Sequence, residues 1–275
     1  MGLFGSKVEV AVTVLHERVT PGDAVSVRID VGKPDGKVRG GRVELLYRNT
    51  YQDVEVQADD DREQRQRVTR TDDVVLASVP LWDGPPQEGT RAHDLVLPDD
   101  APPTVAGMVE WQVRAVVDRK MAADGMAEQR LEVASSEEAL RSWSERTPRV
   151  QPGSPLTVTA APRVLRPGVR VAGSVQVVAG SEQVVGRRLR VELVRRRREQ
   201  ADLESEQVCA TAVLVEDLTL PPGQRQEHTF SLDVPADAQA SARAERNEQH
   251  WLVRAVLDRK LKSDHTAELE VVVLT

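Results

Sequence analysis

Four consecutive arginines, Arg195, Arg196, Arg197 and Arg198, form the sharpest charge feature of the sequence, and Arg187, Arg188 and Arg190 stand just upstream. Guanidinium groups gathered in this way can dock an acidic peptide, a phosphate or a lipid head group through charge-assisted hydrogen bonds. In a strand, Arg195 and Arg197 would face opposite to Arg196 and Arg198. The run is therefore expected to end its strand and spill into the next loop. It reads either as a solvated, edge-protecting strand end or as a partner-binding patch. RNA is a poorer ligand for it, because no aromatic stacking platform stands nearby. The acidic stretch "ADDDREQRQR" at 58–67 could meet the patch within one molecule or between two copies.

A second candidate is the tripeptide Asp-Arg-Lys, which closes two near-identical decapeptides, "WQVRAVVDRK" at 111–120 and "WLVRAVLDRK" at 251–260. Asp118, Arg119, Asp258 and Arg259 could bind a ligand. Their duplication at the same strand end favours a structural role instead, with hydrogen bonds and a salt bridge to the hairpin and a neighbouring strand. Arg114 and Arg254 also recur. They alternate with the apolar residues, so they point away from the core, where a salt bridge is expected rather than a ligand site.

The remaining residues give little chemistry. His16, His93, His228, His250 and His265 contain no pair at metal-ligand spacing, and Cys209 has no histidine near it in sequence. Asp59, Asp60, Asp61 and Glu63 lack the glycine and terminal glutamate of a calcium loop. "GKPDGK" at 32–37 has neither the spacing nor the Ser/Thr of a phosphate-binding loop, and reads as a turn through Pro34-Asp35-Gly36. No Gly-x-Ser-x-Gly elbow exists, and no carboxylate pair has a spacing that proposes acid/base work. Nothing in these residues recommends catalysis, a cofactor or a metal.

The elements that position these residues are strands. In each decapeptide, Trp111, Val113, Ala115 and Val117, or Trp251, Val253, Ala255 and Leu257, fall on one face of a period-two pattern. A charged connection follows each (118–125 and 258–265), then a second alternating run (127–133 and 267–273), so each copy reads as a closing hairpin. Upstream motifs repeat in the same order. "TPGDAVSVRIDV" at 20–31 answers "RPGVRVAGSVQVV" at 166–178, "RVELLYR" at 42–48 answers "RVELVRR" at 190–196, and "DLVLPDDAPPT" at 94–104 answers "SLDVPADAQAS" at 231–241. Short strands, Pro-Gly and Asp-Gly turns and no long helical pattern predict an all-β chain of two tandem antiparallel β-sandwiches, at 1–135 and 154–275. Aromatics are only 3% of residues, so the cores must be built of Val, Leu and Ala. The linker, 136–153, carries a possible capping box, Ser135 with Glu138. It predicts one short helix with Leu140 and Trp143 facing a domain.

A chain of 275 residues suits two cores. No apolar run is long enough to span a membrane, and the charged start lacks a signal peptide's apolar segment. A single cysteine fits a reducing compartment, so a cytoplasmic location is expected. Lysine occupies only six positions, leaving 31 of the 37 basic residues as arginine, which with the abundant Val and Ala suggests a GC-rich bacterial genome. Met1-Gly2-x-x-x-Ser6 formally fits an N-myristoylation signal, but a bacterium would lack the acyltransferase. Residues 1–135 hold 17 basic and 24 acidic side chains, and 154–275 hold 17 of each, so neither half looks like a nucleic-acid binder.

A Pro-Gly turn opening a Val-rich strand, then a "VEL" strand, then "LP", then the Trp decapeptide and a closing strand resembles the domain plan of arrestin-like proteins. Glu110, Trp111, Val113, Arg114 and Ala115 carry the match in the first half, and His250, Trp251, Val253, Arg254 and Ala255 in the second. Within that superfamily the chain is most similar to the bacterial sporulation-control family, through "FGSKVEV" near the start and "VVAGSEQVVGRRLRVEL" at 177–193. The resemblance implies a non-enzymatic adaptor or regulator that binds other proteins, possible self-association and no nucleic acid. A peripheral module binding anionic lipid through the arginines and Leu3-Phe4, or a small-molecule carrier with a pocket between sheets or domains, are the alternatives.

Overall fold

The structure, a computed structural model, describes residues 8–34, 36–59, 62–121 and 123–275. The Met1–Ser6 signal, Leu3-Phe4, Asp35 of the turn, and Asp60 and Asp61 of the acidic loop lie outside the described residues. The chain divides into two compact units, Met1–Ser136 with Ala244–Arg246, and Glu137–Arg243 with Asn247–Thr275.

In the first unit the strands are β1 (Val10–Val14), β2 (Arg18–Val19), β3 (Ala24–Val31), β4 (Val38–Asp59), β5 (Arg62–Pro80), β6 (Gly89–Val96), β7 (Val109–Arg119) and β8 (Gly125–Val133). They form a three-stranded sheet, β1-β3-β6, and a five-stranded sheet, β2-β8-β7-β4-β5. Alternation sets the inner faces: Val25, Val27 and Ile29 of β3 are buried, as are Val43 and Leu45 of β4 and Trp111, Val113 and Ala115 of β7. The Trp111 indole N–H donates to the Pro102 carbonyl at 2.9 Å, which satisfies a polar group that burial would otherwise leave bare.

The second unit opens with helix α1 (Glu137–Ser144). It continues with β9 (Arg149–Val150), β10 (Leu156–Ala161), β11 (Val164–Leu165), β12 (Arg170–Val178), β13 (Val184–Glu199), β14 (Glu204–Leu220), β15 (Arg225–Asp233), β16 (Ala242–Arg243), β17 (Asn247–Asp258) and β18 (His265–Val273). One sheet is β10-β12-β15; the other runs β11-β18-β17-β13-β14, with β9 on β18 and β16 on β17. The core between them is mainly Val, Leu and Ala, including Val158, Val175, Leu189, Val191 and Val253, with Trp251 and Phe230 among them. Trp251 repeats the tie of Trp111, its indole N–H donating to the Gln239 carbonyl at 2.9 Å. At Gly186 of β13 an added Cβ would run into the Leu257 side chain, so only glycine permits the approach of β17 there.

Each larger sheet ends in a long strand with an extra residue in the same place. Leu45 pairs with Ala77 and Leu46 with Val75, so Leu76 of β5 is unmatched. Leu193 pairs with Ala210 and Val194 with Val208, so Cys209 of β14 is unmatched. These are β-bulges at equivalent positions of the two copies.

The segment 136–153, expected to link the two sandwiches through one short helix, carries that helix as α1 and groups from Glu137 with the second unit. Leu140 and Trp143 of α1 form a small buried cluster with Val272 and Leu274 beside β18, because an eight-residue helix gains its stability from packing rather than from its own turns. The arginine run departs from expectation in part: it stands at the end of β13, just before Glu199, but does not spill into the next loop, and β13 is not an edge strand. All four residues are inside β13, which is hydrogen-bonded by β14 on one side and β17 on the other.

Candidate functional site

The outer face of each larger sheet carries a lattice of opposite charges, built by the period-two alternation that sends the intervening residues inward. In the first unit Arg42 reaches Glu44 at 2.6 Å and Asp118 at 2.9 Å. Arg114 pairs with Asp73 and with Glu128, the latter at 2.7 Å. Arg48 meets Asp73 at 3.1 Å. The second unit repeats the design. Arg190 pairs with Asp258 and with Glu192, the latter at 2.7 Å. Arg254 reaches Glu192 at 2.9 Å and Glu206 at 2.7 Å. Arg114 and Arg254, Asp118 and Asp258 therefore occupy matching nodes. Glu44 and Glu192 are buried carboxylates at the centre of each lattice, tolerated because two guanidinium groups face them.

Arg119 and Arg259 tie down the hairpins. Their backbone N–H groups donate to Asp124 and Asp264, at 2.9 and 3.1 Å. Their side chains donate to the carbonyls of Ala123 and Ser263.

The arginine run is absorbed into the second lattice. Arg196 donates to both oxygens of Glu268, at 3.0 and 2.7 Å, and to Glu206 at 2.7 Å. Burial works against its charge, yet these hydrogen bonds prevail and raise the guanidinium pKa above its ordinary value. Arg195 donates to Gln239 and Gln207. Arg197 pairs with Glu199 at 2.5 Å, Arg198 with Glu204 at 3.2 Å, and Arg188 with Asp258 at 3.0 Å. Arg187 is exposed and, among the described residues, has no ion pair. The predicted cluster thus splits between two sheet faces, and most of its charge is met by carboxylates of the same unit.

A corner of the second unit was not anticipated. His250, 4% exposed, places Nδ1 2.6 Å from Glu270 and Nε2 2.9 Å from Glu248. Its ring stacks on Trp143 of α1, with centroids 4.4 Å apart and planes 15° from parallel. Arg146 and Arg243 lie over the same indole, at 5.4 and 5.2 Å, and pair with Glu270 and Glu248. Burial pushes the Glu270 and Glu248 carboxyls up, but the hydrogen bond from His250 and the neighbouring arginines outweigh it and hold both below the usual carboxylate range. A narrow cleft of about 20 Å³ opens here between Arg146, Arg149, Arg196, Arg198, His250 and Glu270, with room for little more than one water.

The signal for this corner was present in the repeat. Aligned on the twin tryptophans, Glu110 answers His250 and Arg130 answers Glu270, so the same diagonal pair is kept with its charges exchanged. In the first unit Glu110 and Arg130 form a loose surface contact of 3.8 Å; in the second the pair is buried.

Among the described residues no group of three or more His, Cys, Asp or Glu could hold a metal ion. Nor, among them, is any helix long and apolar enough to cross a membrane. Among curated proteins, none matches the chain. Residues 156–273 match the family model described as SpoOM protein; by that match the second unit, from β10 to β18, is similar to the sporulation-control family that the sequence resembles.

Proposed function

We propose that this protein is a non-enzymatic regulatory adaptor of the sporulation-control type, acting in the bacterial cytoplasm by binding other proteins. The observation that carries this reading is the match of residues 156–273 to that family. The geometry supports it in two ways. The interior of the second unit is filled by apolar side chains, leaving its chemistry on the surface. The charged side chains on its outer face are largely paired with one another, which suits a scaffold more than a reaction centre.

Arg187 and Arg149 differ from the paired arginines. Both are exposed, and neither makes an ion pair among the described residues. They are cations free to meet an acidic partner near the run, with Arg198 and Arg195 half-buried at its margin. The lipid-binding alternative would add Leu3-Phe4 as its apolar contact, and these two lie outside the described residues. A carrier role would need an enclosed polar cavity; the cleft beside His250 is too small for a metabolite, and the larger hollow of about 790 Å³ beside Val10, Asp30, Thr90 and Met126 in the first unit is open to solvent.

The test is affinity capture from a sporulating culture, with wild type, Arg187→Glu/Arg149→Glu and Arg195→Glu/Arg197→Glu as baits. A specific protein retained by wild type, and lost from a folded charge-reversed bait in a salt-sensitive manner, supports the adaptor reading. Retention of no protein by any bait removes it.

A further inference from the structure

We propose that His250 is a proton-operated latch that holds α1 and the chain leading to β9 against the second unit. Both ring nitrogens lie within hydrogen-bond distance of a carboxylate, Glu270 at 2.6 Å and Glu248 at 2.9 Å. An ionised carboxylate only accepts, so both nitrogens can be satisfied only when both carry a proton. A neutral imidazole turns one lone pair toward a carboxylate oxygen, and the ring itself is only 4% exposed. That arrangement loses a hydrogen bond and sets two acceptors face to face.

The latch reaches α1 through contacts already described. Trp143 of α1 lies flat on the His250 ring, and Arg146, just past the helix, shares Glu270 with it. Arg163 fastens the same stretch by donating to the carbonyls of Arg146 and Glu270, at 2.7 and 2.9 Å. The helix is too short to persist without this packing.

The charged groups around the ring come from every neighbouring element. Glu248 is on its own strand and Glu270 on β18, while Arg243 on β16 holds Glu248. Arg196, directly across on β13, faces Glu268 on β18 and Glu206 on β14 instead. Arg198 and Arg149 line the cleft beyond. The two carboxylates nearest the ring are shared with Arg146 and Arg243, so three cationic groups face two carboxylates when the ring is protonated. The pair of ring hydrogen bonds is what holds the proton. Loss of that proton leaves the arginines in place and turns a ring lone pair onto one carboxylate, which displaces the ring on which Trp143 is stacked.

The measurement is hydrogen exchange of peptides covering residues 137–149 in the full chain, corrected for intrinsic rates, from about pH 5 to about pH 9. Wild type is expected to lose protection in this segment by at least about tenfold across the range, while strands β10 to β15 keep theirs. His250→Gln is expected to be poorly protected throughout. Glu248→Gln supplies a side chain able either to accept from the ring or to donate to it, so this variant should stay protected with its pH dependence abolished. Wild-type protection that does not change with pH, or a Glu248→Gln variant that keeps the wild-type dependence, overturns the proposal. Wild type alone decides the matter should His250→Gln fail to fold.

Discussion

Arg196 grips Glu268 with both arms of its guanidinium, across the sheet from β13 to β18, although the two residues are 72 positions apart in sequence. The side chain most exposed to suspicion as a docking group is therefore one of the most committed to the fold. Removing one partner of so enclosed a pair strands the other. Arg196→Ala is expected to lower stability by about 3 kcal/mol, whereas Arg187→Ala should change it by less than about 0.5 kcal/mol. Urea denaturation of the two variants, compared at equal slope, checks the contrast.

Acid should unfold the protein through its carboxylates. Asp73, Glu206, Glu248 and Glu270 all titrate below their ordinary values when folded; burial alone would raise them, but hydrogen bonds from arginines or His250 prevail. Their unfolded counterparts titrate near about pH 4. The unfolded chain thus binds more protons there, and the stabilisation, fully present above about pH 5, is lost as pH falls through the depressed folded values. Melting temperatures between about pH 2.5 and pH 7 should drop steeply at the acid end, and Glu206→Gln should flatten that limb. A melting temperature constant down to pH 3 contradicts this.

Trp111 and Trp251 fill the same place in their respective cores and make the same bond to the preceding loop. Replacing either with Phe keeps much of the apolar volume and deletes the N–H, leaving a carbonyl without its donor. Each substitution is expected to cost about 1 to 3 kcal/mol, with similar size in both units. Thermal unfolding of the two single variants measures it, and a large asymmetry would show that the repeated tie is not equivalent in the two copies.

Cys209 sits on the β14 bulge, partly buried, where desolvation pushes the thiol pKa up despite the nearby Arg195. Its alkylation by iodoacetamide at pH 8 should be slower than that of an unfolded control, by roughly tenfold or more. Equal rates would mean that the bulge leaves the sulfur open.

Much of the fold could be read from the sequence because its signals are local. Period-two runs and Pro-Gly turns announce strands and hairpins, and the repeat announces that there are two of each. The partners of the arginine run were not local: Glu268 lies on β18 and Glu206 on β14, and the register that brings them to Arg196 includes a bulge that alternation does not reveal. For that reason the sequence alone leaves the run open to both readings, a solvated strand end and a partner-binding patch. His250 was legible in part, since its exchange with Glu110 shows in the aligned repeats. Its burial depended on Trp143 folding back from a segment that read as a linker.

The bulges opposite Leu46 and Val194 bear on how this chain avoids others of its kind. β5 and β14 are the outermost strands of their sheets, 19 and 17 residues long, and a flat free border of that length is a template for fibre growth. Leu76 in β5, and Cys209 together with Leu214 in β14, break the regular ladder and increase local twist, so an incoming strand cannot zip along the whole border. Because the interruption falls at the same point in both copies, each sandwich carries the same guard against polymerisation on its own outermost long strand.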